Sequence, residues 1–443
     1  MDDTSTLPYS NSAALLDAAS HVQLLASKRA DEDEKKRYRP RTFSYFAHLP
    51  FPVEDQAARD AALTGILKQL FIAIKAEDFS PGALHWTREL QAWLNLKFEM
   101  TRELRATLAR LYYHMSLAPG LDTTTSDSRR KSQKQLWKLL VHAQFYFAPR
   151  ERRQILDEVL PYFSTSDISN AFISIGALGS LLPTTPGPED ALDCEPEHFF
   201  PTIFHLWSLV SRSKLTDVFM IDIFSRFARE YLPSATSDFT EYGIFTQDQS
   251  DLIFTAILRL TDIPVGQSGS PYSSVDLSSG FGIYLEKDKK KYPITYMIAR
   301  WIVYSMSPLC LEKEASVLSS LEGLIQSVDT FFHPSNQGSW HVFLGQLTVY
   351  LTDIFVSRWN REASGELQLP PERRINDALK RRFVLCLRDV TFMGIYSKSM
   401  RVASYYYATL QGLAFWSPIS FCRGLAALLS ELARTRRSSS DDV

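Results

Sequence analysis

The 443-residue chain is 45% hydrophobic and 22% charged, which is enough apolar material for a large core and too much for an intrinsically disordered protein. A formal net charge of −2 argues against a dedicated nucleic-acid domain, because neutralising phosphate takes a surplus of Lys and Arg on one face. Cys194, Cys310, Cys386 and Cys422 lack paired spacing, and no signal-like opening or apolar run of ~18 residues occurs, so a soluble chain in a reducing, intracellular compartment is expected.

In chain order, residues 1–38 are expected to form a mobile arm with a mixed charge run from Asp31 to Arg37, although Leu15, Leu16, Val22, Leu24 and Leu25 are spaced for a short amphipathic helix. From Glu54 onward the apolar residues recur with helical spacing, and strand-like alternation is scarce. Helices are predicted over 57–75, 81–97, 101–114, 129–147, 150–163, 167–182, 201–212 and 215–231, then 292–306, 310–330, 371–394 and 398–415. Pro81, Pro149, Pro183, Pro201, Pro233, Pro293, Pro308 and Pro371 punctuate them. Thr246 and Gln249 form a capping-box pattern ahead of Leu252, Ile253, Ile257 and Leu258. Trp340, Phe343, Leu344, Leu347, Tyr350, Leu351, Ile354, Phe355 and Trp359 describe one long helix with an apolar stripe.

Taken as pairs, these helices recur about every 45–60 residues, somewhat longer than a regular HEAT unit. A helix pair with one apolar face buries it only by stacking on the next pair, so the predicted fold is all-α: an irregular, HEAT-like α-solenoid of stacked helical hairpins. Segments 184–198 and 264–291 read as loops inserted on its rim.

Chemistry-bearing motifs are scarce. There is no GxxxxGK[ST], HExxH or GxSxG, and Gly280 and Gly282 form a GxG with no third glycine. Cys194-Glu195-Pro196-Glu197-His198 is the most metal-like run, but Pro196 is expected to spread its side chains along an extended loop, and no metal site is assigned. Lys287, Lys289, Lys290 and Lys291 are the densest basic run and the candidates for anion contact. Arg373, Arg374, Lys380, Arg381 and Arg382 are placed on one predicted helix, opposite Ile375, Leu379, Phe383, Val384 and Leu387, as a basic face for an acidic partner. Tyr405, Tyr406 and Tyr407 have helical spacing and are read as core.

Two segments are more specific: Arg39 to Phe51, with Arg41, Phe43, Tyr45, Leu49 and Pro50, and the run His333, Pro334, Ser335, Asn336, Gly338, Trp340 followed by Arg358, Trp359, Arg361 and Glu362. The second explains itself structurally. His333-Pro334 ends one helix, Ser335, Asn336 and Gly338 suit a tight turn, and Ser339 is placed to cap the helix that starts at Trp340. Arg358, Arg361 and Glu362 are placed to pair with a neighbouring repeat or to bind the last carbonyls of a helix.

Both segments resemble the giant HEAT-repeat, ATP-independent proteasome activators, in family order, over an amino-terminal portion from about Arg39 to about Phe415. The resemblance implies 39–330 as an amino-terminal solenoid, 331–415 as the start of the middle HEAT region, and 416–443 as a divergent or truncated tail. It implies a non-catalytic, monomeric activator in the nucleus and cytoplasm that caps the outer ring of the core particle, opens its gate and admits peptides and unstructured proteins. No membrane or direct nucleic-acid contact is expected. No cofactor is required, although an inositol phosphate held by cations such as the 287–291 lysines would fit the family. The family's anchor, a penultimate tyrosine, has no counterpart in Ser440-Asp441-Asp442-Val443, so a fragment is expected. A general α-solenoid adaptor that binds a peptide on its concave face is the alternative.

Overall fold

The computed structural model describes residues 49–117, 127–159, 196–210, 214–234, 237–261, 293–335 and 340–416, together with isolated positions between them. Among these residues no strand forms, and one isolated antiparallel bridge pairs Thr240 with Gly243. The fold is all-α and HEAT-like, in two compact units, Met1–Pro183 and Thr184–Val443.

Unit 1 contains α1 (Gln56–Lys75), α2 (Leu84–Leu94), α3 (Arg102–Ala109), α4 (Asp127–Ala143) and α5 (Pro149–Val159). Asp55 starts α1 by accepting hydrogen bonds from the amides of Ala57 and Ala58 at 3.1 and 3.3 Å. Helix α2 packs on both α1 and α4, and Leu90 and Trp93 of α2, Leu67 and Leu70 of α1 and Leu136 and Leu139 of α4 are all buried. The expected start at residue 81 moves to Leu84. Ser80, which precedes a proline, takes an extended conformation, and Phe79–Ala83 make a separate wide turn.

Unit 2 contains α6 (Pro196–Val210), α7 (Lys214–Tyr231), α8 (Gln247–Leu260), α9 (Ile294–Ser305), α10 (Val317–Ser327), α11 (Trp340–Ala363), α12 (Asp377–Gly394) and α13 (Met400–Trp416). Helices α7, α9, α11 and α13 lie side by side in one row, and α8, α10 and α12 form the second row. Each of α7–α8, α9–α10 and α11–α12 is a hairpin stacked on the next. Helix α9 is apolar nearly all round, as Met297-Ile298-Ala299 and Trp301-Ile302-Val303 show, and it is correspondingly enveloped, with Ile298, Trp301 and Val303 fully buried. Phe200 and Phe204 of α6 stack with Phe245 and with Phe224 of α7, at ring separations of 5.1 and 4.2 Å. Small residues bring α11 and α13 together: a Cβ on Gly345 would lie 3.1 Å from Tyr405, and one on Gly412 would lie 2.6 Å from Thr352.

Several expected boundaries change for local reasons. The single helix expected over 310–330 is a 3-10 turn at Pro308–Leu311, then α10, then a second turn at Asp329–Phe332. Ser316 restarts the helix by a reciprocal cap with Ser319, at 2.7 and 3.2 Å. The Thr246 box forms as expected, Gln249 accepting from the Thr246 amide at 3.1 Å and Thr246 accepting from the Gln249 amide at 3.3 Å. The loop expected to run through His198 ends earlier, because Pro196 occupies the first turn of α6, where its missing N–H carries no penalty. Segment 264–291 and most of 167–182 lie outside the described residues.

Candidate functional site

The run at 333–362 brackets α11 and fixes both of its ends. At the entry, the Ser335 amide donates to His333 Nδ1 at 3.2 Å, and Gly338 O accepts from the His341 amide at 3.2 Å. Trp340 meets Phe331 edge-on at 5.5 Å, and a Cβ on Gly338 would fall on the Trp340 ring, so a larger residue here would have to displace that ring. Asn336 and Ser339 lie outside the described residues, as do Arg41, Phe43 and Tyr45, whereas Leu49 is half-buried and Pro50 exposed.

At the exit, Arg358 is fully buried with an exposure of 0%. Its Nη1 donates to Val303 O at 2.5 Å and Met306 O at 2.8 Å, the carbonyls that end α9. Nη2 donates to Arg373 O at 2.6 Å, and Nε donates to Glu362 Oε1 at 2.7 Å. Glu362 Oε2 accepts from the Ile375 amide at 2.7 Å. Burial pushes the Arg358 pKa down and Glu362 opposes that shift, so the ion pair is what allows a guanidinium to sit there. Arg361 pairs with Glu366 at 2.8 Å, and the Trp359 ring carries the Lys380 ammonium 4.3 Å from its centre.

The basic face expected at 373–382 is not one surface. Arg373 lies in a 3-10 turn and Arg374 in the extended stretch after it, because Pro371 and the Asn376 cap postpone α12 to Asp377. Arg373 is buried and donates to Leu232 O at 3.0 Å and Ser237 O at 2.8 Å, and it also donates to Ser234 O. Arg374 donates to Leu369 O at 2.6 Å. On α12 itself, Arg382 grips Glu322 with a fork at 2.7 and 2.6 Å, Lys380 pairs with Asp377 at 2.7 Å, and Arg381 is exposed. The grouped charges therefore serve mainly inside the unit.

Two further buried carboxylates have no precedent in the sequence reading. Asp222 takes Arg300 and Arg226, each at 3.3 Å, and Arg300 also reaches Ser225 Oγ. Asp217 accepts from Trp207 Nε1 at 3.0 Å and from Arg259 at 3.0 and 3.1 Å; burial raises its pKa and Arg259 works against that. The visible signal for the first pair was an Asp and an Arg set among apolar neighbours, Met220-Ile221-Asp222-Ile223-Phe224 and Ile298-Ala299-Arg300-Trp301.

Lys287, Lys289, Lys290 and Lys291 lie outside the described residues, as do Cys194 and Glu195, while His198 sits in the first turn of α6. Among the described residues no group of three or more His, Cys, Asp or Glu is placed to hold a metal, and no helix is long and apolar enough to cross a membrane. Of the three tyrosines expected in the core, Tyr406 is buried, Tyr405 accepts from Gln346 and Arg401 at 3.3 Å, and Tyr407 is 54% exposed. The arrangement is suited to holding helix ends in register. The buried arginines Arg358 and Arg373 donate to backbone carbonyls and, for Arg358, to a carboxylate.

Residues 321–425, which include Arg358, Glu362 and Arg373, match the family model for the mid HEAT repeats region of proteasome activator complex subunit 4. Residues 14–82 match the amino-terminal model of the proteasome-substrate-size regulator. The chain is similar to the amino-terminal portion of the proteasome activator subunit 4/Blm10 proteins. Proteasome activator complex subunit 4A of Danio rerio is 24% identical over 424 residues, covering 84% of this chain and 21% of that protein. Proteasome activator complex subunit 4 of Homo sapiens is 23% identical over 429 residues, covering 84% of this chain and 21% of that protein. Proteasome activator BLM10 of Saccharomyces cerevisiae is 22% identical over 322 residues, covering 58% of this chain and 14% of that protein. The chain thus spans about a fifth of the length of the first two. This is a family of proteasome regulators built from HEAT repeats rather than of enzymes. The matched regions extend to residue 14 and to residue 425, so the likeness reaches beyond both limits expected from the two signature segments.

Proposed function

We propose that this chain is a wall segment of an ATP-independent proteasome activator that caps the outer ring of the core particle and favours its open gate, admitting peptides and unstructured proteins. The observation that carries this reading is the pair of family matches in family order, 14–82 and 321–425, each containing one of the two signature segments. The buried arginine clamps support it, because a cap shifts a gate only by the difference in its affinity for the open and closed rings. A wall that yields on contact would dissipate that difference. Being about a fifth of the relatives' length, the chain supplies part of such a cap, with the binding surface completed by other segments. Nothing in this role calls for a nucleophile or a metal on the chain.

A chimera tests the reading. The matched region of the Danio rerio relative is replaced by residues 14–425 of this chain, and the purified product is sedimented with core particles and assayed for stimulated cleavage of a fluorogenic peptide. Co-sedimentation and stimulation well above the core particle alone are expected. A folded chimera that neither co-sediments nor stimulates would remove the proposal.

A further inference from the structure

In an array of stacked hairpins each repeat ordinarily touches its neighbours alone, so stability is a sum of local terms and separate parts can open separately. Two of the arginines of unit 2 keep to that rule. Arg300 of α9 reaches back one hairpin to Asp222 and Ser225 of α7, and Arg358 of α11 reaches back one hairpin to the end of α9.

Arg373 does not. It stands in the turn between α11 and α12, in the third hairpin, and its guanidinium is seated on the connection between α7 and α8, in the first. The carbonyls it holds, Leu232, Ser234 and Ser237, are 136–141 residues away in sequence. Leu232 lies just past the end of α7, at the negative end of its dipole, and the planar five-donor fork of arginine reaches the three carbonyls together as no lysine could. Phe239 covers the guanidinium at 4.8 Å, and the side chain is 8% exposed. The backbone of the same residue is tied separately, since Arg373 O accepts from Arg358 at 2.6 Å while Arg358 also holds Val303 and Met306 of the second hairpin. One residue therefore joins all three hairpins.

We propose that Arg373 is a strap that bypasses the middle hairpin, fixes the spacing of the first and third, and makes α7 to α12 open as one cooperative unit instead of hairpin by hairpin. Native-state hydrogen exchange on the full chain in rising urea tests it, comparing the unmodified protein with Arg373→Gln and with the milder Phe239→Leu. In the unmodified protein, core amides of α7 and α12 are expected to exchange through a single opening with the same urea dependence. In Arg373→Gln, core amides of α7 and α8 and those of α12 are expected to exchange about tenfold faster or more, by the same factor, because the strap is broken in any opening that frees either of its ends, and Phe239→Leu is expected to do the same to a smaller degree. Faster exchange confined to 232–239 and 371–376 would overturn the strap, as would acceleration of α7 and α8 with α12 unchanged. Should Arg373→Gln fail to fold, Phe239→Leu decides alone by the same criterion.

Discussion

Replacing Arg358 by Met keeps most of the aliphatic volume and deletes the fork. Three buried carbonyls, those of Val303, Met306 and Arg373, then lose a charged donor, and Glu362 keeps the Ile375 amide but loses its countercharge. An unpaired buried polar group costs about 1–3 kcal/mol, and breaking a buried ion pair by removing one partner costs roughly 3–5 kcal/mol. The carbonyl of Val303 retains the Met306 amide at 3.3 Å, so the individual penalties do not simply add. We expect Arg358→Met to lower the unfolding free energy of unit 2 by about 3–5 kcal/mol, equivalent to roughly 6–20 °C in Tm for a unit of this size. Arg358→Lys, a point donor on a flexible stem, is expected to recover less than half of that loss, by about 1–2 kcal/mol. Urea denaturation of both variants, of Glu362→Gln and of the Arg358→Met/Glu362→Gln pair closes a double-mutant cycle, in which the two losses should fall short of additivity by about 1–2 kcal/mol. A loss below about 1 kcal/mol for Arg358→Met, or strict additivity in the cycle, would refute the clamp as the element that fixes the ends of α9 and α11.

Unit 1 should respond to pH through α2. Burial raises the Glu89 pKa to about 7, so the stability contributed by its neutral form is fully present below 4.5 and is lost as pH rises through 7. Glu89→Gln is therefore expected to stabilise unit 1 at pH 8 by roughly 1–3 kcal/mol and to change nothing at pH 4, read by thermal unfolding at both values. Burial, reinforced by Arg88, lowers the His85 pKa to about 4, so stability present above 6.5 is lost as pH falls through 4, and His85→Gln should flatten that acid limb in the same experiment. Asp217→Ala strands the indole N–H of Trp207 and the guanidinium of Arg259; a loss of about 2–4 kcal/mol is expected in urea denaturation, with Asp217→Asn recovering part of it through the Trp207 bond. Thr246→Ala removes one arm of the α8 cap and should lower stability by about 1 kcal/mol, with faster amide exchange at Gln249 as its local signature.

Helical spacing was legible almost throughout, because an apolar stripe repeats every turn whatever the helix later packs against. The strongest case, Trp340 to Trp359, lies within α11 (Trp340–Ala363), and the helix expected over 292–306 is α9 (Ile294–Ser305). Breaks were harder to see. Ser316 caps α10 inside a stretch that periodicity alone runs together, since a reciprocal cap made with a second serine lacks the usual Glu or Gln signal. Charge grouping misled for a related reason: Arg373 and Arg382 lie nine positions apart in one basic stretch, yet one is buried on the α7–α8 connection and the other pairs with Glu322 on α10. Sequence proximity carries no information about a partner some 140 residues away. Tyr406 and Tyr407 make the same point at short range, because neighbours on a helix point about 100° apart, and one is buried while the other is half exposed. For Arg358 the sequence left two roles open, pairing with a neighbouring repeat or binding the last carbonyls of a helix; in the structure it reaches Val303 O and Met306 O at the end of α9, a partner that no short-range rule about its own helix end could name.

Peptide cleavage by core particles mixed with the chimera, with and without Arg358→Met, bears most directly on the claim that this chain is a rigid, non-catalytic wall. The chimera should stimulate cleavage only when core particles are present, an active-site inhibitor of the core should abolish all of it, and the Arg358→Met chimera should lose stimulation in step with its loss of folded unit 2. Cleavage by the chimera in the absence of core particles, or undiminished stimulation once the Arg358 clamp has melted, would contradict it.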